Sequence, residues 1–199
     1  MGRWGTEFDP DGLADLETRM WKAYYRRQPV RLFGLLMTEL REQARVSWPR
    51  TIAASLLLTK AAVGFGRATG DYERFAPTIG RAYRVLELPP EVDPEAVARN
   101  ELRWWVVRRE IGLAAGAEAG ESIAAVYATL YRQPPATVAK AGRLRGLAAE
   151  VRDRGAAGDS RGPTGAGDAY WPEVDRLLHA SYRSLRAALE SAAPTNEVA

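Results

Sequence analysis

The chain has no cysteine. That excludes disulfides, thiolate metal sites, iron–sulfur clusters and cysteine nucleophiles together. A chain of 199 residues can bury a core without such staples. Lysine is scarce as well. Of 28 basic residues only Lys22, Lys60 and Lys140 are lysine, and the arginines alternate along the chain with 25 acids. The net charge of +3 is therefore not gathered into the basic face that tracking a phosphate backbone requires, and nucleic acid is not an expected partner. No apolar run approaches the roughly 18 residues that span a bilayer. The N-terminus lacks the apolar segment of a secretory signal, so a cytoplasmic protein without membrane contact is the simplest expectation. Met1-Gly2 with Thr6 fits the myristoylation pattern formally, but with no polybasic neighbour or second anchor it reads as a solvated tail.

Several chemical signatures are missing too. There is no Gly-x-Ser-x-Gly nucleophile elbow, and the aspartate-rich motifs of prenyl-diphosphate chemistry are absent. Gly64-Phe65-Gly66 and Gly70 end a helical pattern and follow no strand, which removes the context of a phosphate-binding loop. The one histidine, His179, follows Asp175 by a helical turn. A carboxylate-bridged metal pair would need Glu-x-x-His on two helices, and Arg176 stands where that glutamate should be. His179 reads as a boundary residue, solvated or paired at the surface. No catalytic residue, metal ligand or cofactor is assigned.

What is present is helical periodicity from end to end. Asp9-Pro10-Asp11, Ser47-Trp48-Pro49, Asp93-Pro94-Glu95 and Trp171-Pro172-Glu173 are helix starts. Apolar residues at helical spacing place helices at about 10–27, 30–45, 49–68, 71–87, 93–112, 120–132, 136–154 and 170–192. The break at 114–120 is rich in glycine and alanine. No alternating run is long enough for a strand. The expectation is an all-α, single-domain bundle of about eight helices with no sheet, in which 49–68 and 93–112 are central. Residues 1–154 form the main bundle and 155–168 a flexible glycine-rich linker. Residues 169–192 make a C-terminal helix that packs back on the bundle or on a second subunit, and 193–199 a disordered tail.

The segment 93–112 is the most informative. Projected at about 100° per residue, Arg99, Arg103 and Glu110 share an outer stripe, and Val97, Glu101, Trp104, Trp105 and Arg108 lie opposite. A helix apolar around most of its circumference is buried on most sides, so Glu101 and Arg108 should point inward. The first helix repeats the design with Glu17 beside Trp21 and Tyr24. Two helices thus place a carboxylate one turn before a tryptophan. An inward glutamate is costly unless paired, and Arg108 is the expected partner, with Arg109 in reserve.

Two functions follow from this pattern. In the first, Glu17, Trp21, Tyr24, Glu101, Trp104, Trp105 and Arg108 line an interior pocket for a small planar or anionic organic molecule, with Arg108 as anion anchor. Glu101 and Glu17 are the only bases such a pocket would offer, and whether catalysis follows is left open. In the second, Glu101–Arg108 is a purely structural buried pair and the protein is an interaction or oligomerisation module, a homodimer for example. The first needs a void beside Arg108. The second needs a filled interior and an exposed apolar patch.

Overall fold

The computed structural model describes residues 6–158 and 169–192. Among these it is all-α: α1 (Pro10–Tyr25), α2 (Pro29–Ala44), α3 (Trp48–Arg67), α4 (Ala76–Val85), α5 (Pro94–Ile111), α6 (Gly116–Tyr131), α7 (Pro135–Gly158) and α8 (Trp171–Ala192), with short 3₁₀ turns at Tyr72–Phe75 and Gly112–Ala114. No described helix is long and apolar enough to cross a membrane.

The helix starts follow from local chemistry. Asp9 and Asp93 each accept a hydrogen bond from the backbone N–H two residues on, satisfying a donor that a helix N-terminus otherwise leaves orphaned. A proline follows each in the first turn, where its missing N–H costs nothing. Pro77 limits α4 in the same way, so the chain enters it through a 3₁₀ turn.

Each helix packs against its neighbours in the chain, and α8 returns to pack on α1. Connections of a few residues join most of these pairs, which favours antiparallel neighbours. The result is a closed ring of eight helices rather than a bundle built around a central one, and this corrects the expectation for α3 and α5. In particular, α3 lies on the wall between α2 and α4. It buries the small side chains of Thr51, Ala54, Ser55 and Ala61, while Trp48, Ile52 and Leu56 face outward. Its apolar richness comes from presenting one face inward and another to the outside.

The tightest contact in the ring is α6 on α7, and glycine makes it possible. Gly116 and Gly120 on α6 meet Gly142 and Gly146 on α7. A β-carbon at Gly142 would overlap the carbonyl of Gly120, and one at Gly146 the carbonyl of Gly116. These glycines are spaced four apart on both helices, so the two backbones touch along one face. The expected break at 114–120 is therefore shorter, since α6 starts at Gly116 and its glycines serve close approach instead of a turn.

α8 buries Val174, Leu178, Leu185 and Leu189 against α7 and α1 within the same chain. The first residues of the expected linker are helical, because α7 runs through residue 158. There Gly155 lies under the ring of Tyr170, where a β-carbon could not fit. The remainder of that linker, the tail from 193 and Trp4 lie outside the described residues.

Candidate functional site

The ring surrounds a half-open cavity of about 510 Å³ to which all eight helices contribute. Its volume is in the range of small-molecule sites. Glu17, Trp21, Tyr24, Glu101, Trp104, Trp105 and Arg108 all border it. The cavity is also bordered by exposed residues, Arg109 and Leu113, which mark where it approaches the surface at the end of α5.

The repeated carboxylate–tryptophan spacing has a direct structural meaning. Trp21 Nε1 donates to Glu17 Oε1 (3.0 Å), and Trp105 Nε1 donates to Glu101 Oε1 (3.1 Å). One helical turn brings each carboxylate under the indole of its own helix.

The ion pairing differs from expectation. Arg108 does not pair with Glu101. Its Nε and Nη2 donate to the two carboxylate oxygens of Asp153 on α7, both at 2.6 Å. The guanidinium lies over the rings of Trp21 and Tyr25. Arg152 also donates to Asp153 (2.9 Å) and lies 3.3 Å from the Tyr25 ring centroid. Burial works against the Arg108 charge, but Tyr25 and Asp153 more than compensate and its pKa is raised. Arg109, the reserve partner, donates instead to the backbone carbonyl of Ala68 and stacks on Phe65.

Glu17 finds its partner elsewhere as well. It is 1% exposed and accepts from Arg145 Nε at 2.7 Å, with Arg145 Nη2 on the same oxygen. Arg145 lies over Trp104 (5.2 Å) and at the edge of Tyr127 (6.0 Å), so the cation is caged by aromatic faces. The other oxygen, Glu17 Oε2, has no hydrogen-bond partner among the described residues, nor do Trp104 Nε1 and Tyr127 Oη. All three belong to residues on the cavity wall.

Four charged groups at the cavity were not expected: Glu39, Arg145, Arg152 and Asp153. Glu39 on α2 reaches the cavity without a side-chain hydrogen bond or ion pair to any described residue. Burial, reinforced by the charge of Glu17, pushes its carboxyl up to about 8. Burial also raises the Glu101 pKa against the pull of Arg145. A helical projection of α2 through Leu32, Leu36, Glu39 and Gln43 would have found Glu39, because all four border the cavity.

His179 lies apart from this cavity and ties α8 to α1. Its Nδ1 is 3.0 Å from Asp11 and its Nε2 is 3.3 Å from Asp15. Asp175, one turn away, is itself held by Thr18 Oγ1 (2.9 Å). Asp15, Asp175 and His179 each bring a ligand atom within 4.8 Å of the others. Burial opposes the charged ring, yet the Asp11 hydrogen bond and the charges of Asp175 and Asp15 outweigh it and raise the pKa. A histidine pKa raised by folding stabilises fully below its unfolded value of about 6.5, and that contribution is lost as pH rises through the folded value. The melting-temperature gap between wild type and His179→Asn should therefore be widest near about pH 6 and close toward alkaline pH. A gap independent of pH would remove the charged-histidine staple.

These features define a class: an all-α ring of eight helices around a cavity lined by aromatic rings, carboxylates and arginines. No protein-family model, curated protein or solved structure matches the chain. The functional reading rests on the cavity itself.

Proposed function

We propose that this protein binds a small planar organic molecule in the cavity at the centre of the helix ring. One observation carries the reading. A void of about 510 Å³ is bordered by residues whose buried polar atoms, Glu17 Oε2, Trp104 Nε1 and Tyr127 Oη, have no hydrogen-bond partner among the described residues. Leaving such an atom unsatisfied costs about 1–3 kcal/mol, and a bound molecule would recover part of that. Trp21, Trp104 and Trp105 offer flat apolar walls. Arg108 is a poor anion anchor, because Asp153 already accepts from its Nε and Nη2 and balances its charge. An anionic ligand therefore has less support than a planar one. The alternative, an interaction module, has one observation in its favour: Trp48, Ile52 and Leu56 are exposed along α3 at intervals of one turn.

The test is a metabolite panel read by tryptophan fluorescence and melting temperature, on wild type and on Ala62→Phe, which projects a ring into the cavity from α3. A ligand at 100 times its dissociation constant adds about 2.7 kcal/mol. For a domain of this size that is a shift of about 5–10 °C. The expected result is a ligand that shifts wild type and leaves Ala62→Phe unmoved. Shifts of equal size in both proteins would move binding out of the cavity, and silence across the panel with a dimer on sizing would favour the interaction module.

A further inference from the structure

Three carboxylates, Glu17 on α1, Glu39 on α2 and Glu101 on α5, border the cavity within electrostatic reach of one another, and Arg145 is the cation that acts on all three. Taking the cavity to be a binding site, we propose that its occupant is an organic cation, a flat molecule whose protonated amine sits among Glu17, Glu39 and Glu101.

Of the four arginines that border the cavity, Arg108 and Arg152 donate to Asp153 and Arg109 to the Ala68 carbonyl, which leaves Arg145 to face the three glutamates. Glu17 Oε2 is a buried acceptor without a donor among the described residues. Glu39 has no side-chain partner among the described residues. Glu101 is held by an indole N–H and by no ion pair. An ammonium brings N–H donors and one positive charge, and against these three carboxylates the protein sets one cation, Arg145. The aromatic faces suit a cation too, since Trp104 and Tyr127 already flank the guanidinium of Arg145. A bare metal ion fits less well. The one group of three ligand atoms lying within 4.8 Å of one another among the described residues is Asp15, Asp175 and His179, outside this cavity. Glu17, Glu39 and Glu101 do not close together on one point, so the ammonium donates to Glu39 and meets Glu17 and Glu101 through its charge.

Binding of the amine is coupled to a proton. In the empty cavity Glu39, with its carboxyl pushed up to about 8, carries its proton at neutral pH. The ammonium converts it to a carboxylate, the O–H bond breaks, and that proton leaves to solvent. The charged and titratable groups around Glu39 are Glu17, Arg145, Glu101 and Glu42, with Tyr83 and Tyr182 from α4 and α8. Burial raises both tyrosines well above their ordinary value, so they stay neutral across the range, and Glu39 is the group that releases the proton.

The experiment is titration calorimetry with three probes sharing one flat body: naphthalene-2-methylamine, naphthalene-2-methanol and naphthalene-2-acetate. Each is measured near neutral pH in two buffers of different ionisation enthalpy, on wild type, Glu39→Gln and the exposed control Glu42→Gln. The amine should bind wild type at least about tenfold more tightly than the alcohol, about 1.4 kcal/mol, and more tightly still than the acid. It should also release close to one proton. Glu39→Gln, a neutral isostere that keeps the fold, should lose the proton release and most of the preference while still binding the alcohol. Glu42→Gln should keep both. If the alcohol or acid binds wild type as well as the amine, the cationic assignment falls and the cavity reading stands. If none of the three binds, both fall.

Discussion

Asp153→Ala should destabilise the protein by about 3–5 kcal/mol, the range for removing one partner of a buried ion pair. Asp153 is shared. It accepts two bonds from Arg108 and one from Arg152, and the Arg108 and Asp153 side chains are 14% and 17% exposed. Removing it leaves two guanidiniums close together without the carboxylate between them. Arginine cannot escape by losing its proton at any pH where the protein folds. The loss should therefore be nearly the same at about pH 5 and about pH 9. Arg108→Ala should cost less, because Arg152 stays with Asp153. Urea unfolding of the two variants at both pH values checks the order and the flatness. A larger loss for Arg108→Ala would mean that Asp153 does not join the two arginines.

Much of this arrangement could be read from the sequence, and the reasons are local. Helix positions were legible because prolines in first turns, aspartates before them and apolar residues at helical spacing are all properties of short segments. Glu17 and Glu101 were legible for the same reason. A carboxylate in the middle of an apolar stripe announces itself on projection, and its indole lies one turn away on the same helix. The partners of Arg108 and Glu17 were not legible. Arg108 meets a residue 45 positions away and Glu17 one 128 positions away, and no local pattern encodes that.

Helix α7, which supplies both partners, hides its orientation. It packs against α6 on one side and α8 on the other. Its buried face is made of Val138, Ala141, Ala148, Ala149 and Ala156 with the backbone at Gly142 and Gly146, and is interrupted by Arg152, so hydrophobicity marks that face only weakly. Leu147, which looks like a core residue in sequence, is 43% exposed, while Arg145 two residues earlier reaches the cavity. Ring closure was invisible for a related reason. The sequence specifies which face of each helix is apolar, and a helix with two apolar faces reads as central. In a ring it is a wall, as the exposed Trp48, Ile52 and Leu56 of α3 demonstrate.

Arg145→Met should have an effect that grows with pH, in contrast to Asp153→Ala. Methionine fills similar volume and removes the cation shared by Glu17, Glu39 and Glu101. Carboxylic acids, unlike arginines, can neutralise themselves by taking up protons. Already in the wild type, Glu39 has a folded pKa of about 8 against an unfolded value of about 4.3. Between those values the native state holds a proton that the unfolded chain has released, so this group lowers stability as pH rises through that window. Without Arg145, which opposes the upward push of burial on Glu101, Glu101 joins it. Each further proton held by the native state adds about 1.4 kcal/mol of loss per pH unit. The cost of Arg145→Met should then be small near about pH 5 and reach about 3–5 kcal/mol near about pH 8. Adding Glu101→Gln to the variant should restore part of the loss at the higher pH and little at the lower, because it removes one of the acids that must be neutralised. Denaturant unfolding at the two pH values decides the matter: a cost that does not change with pH would mean the three carboxylates do not depend on Arg145.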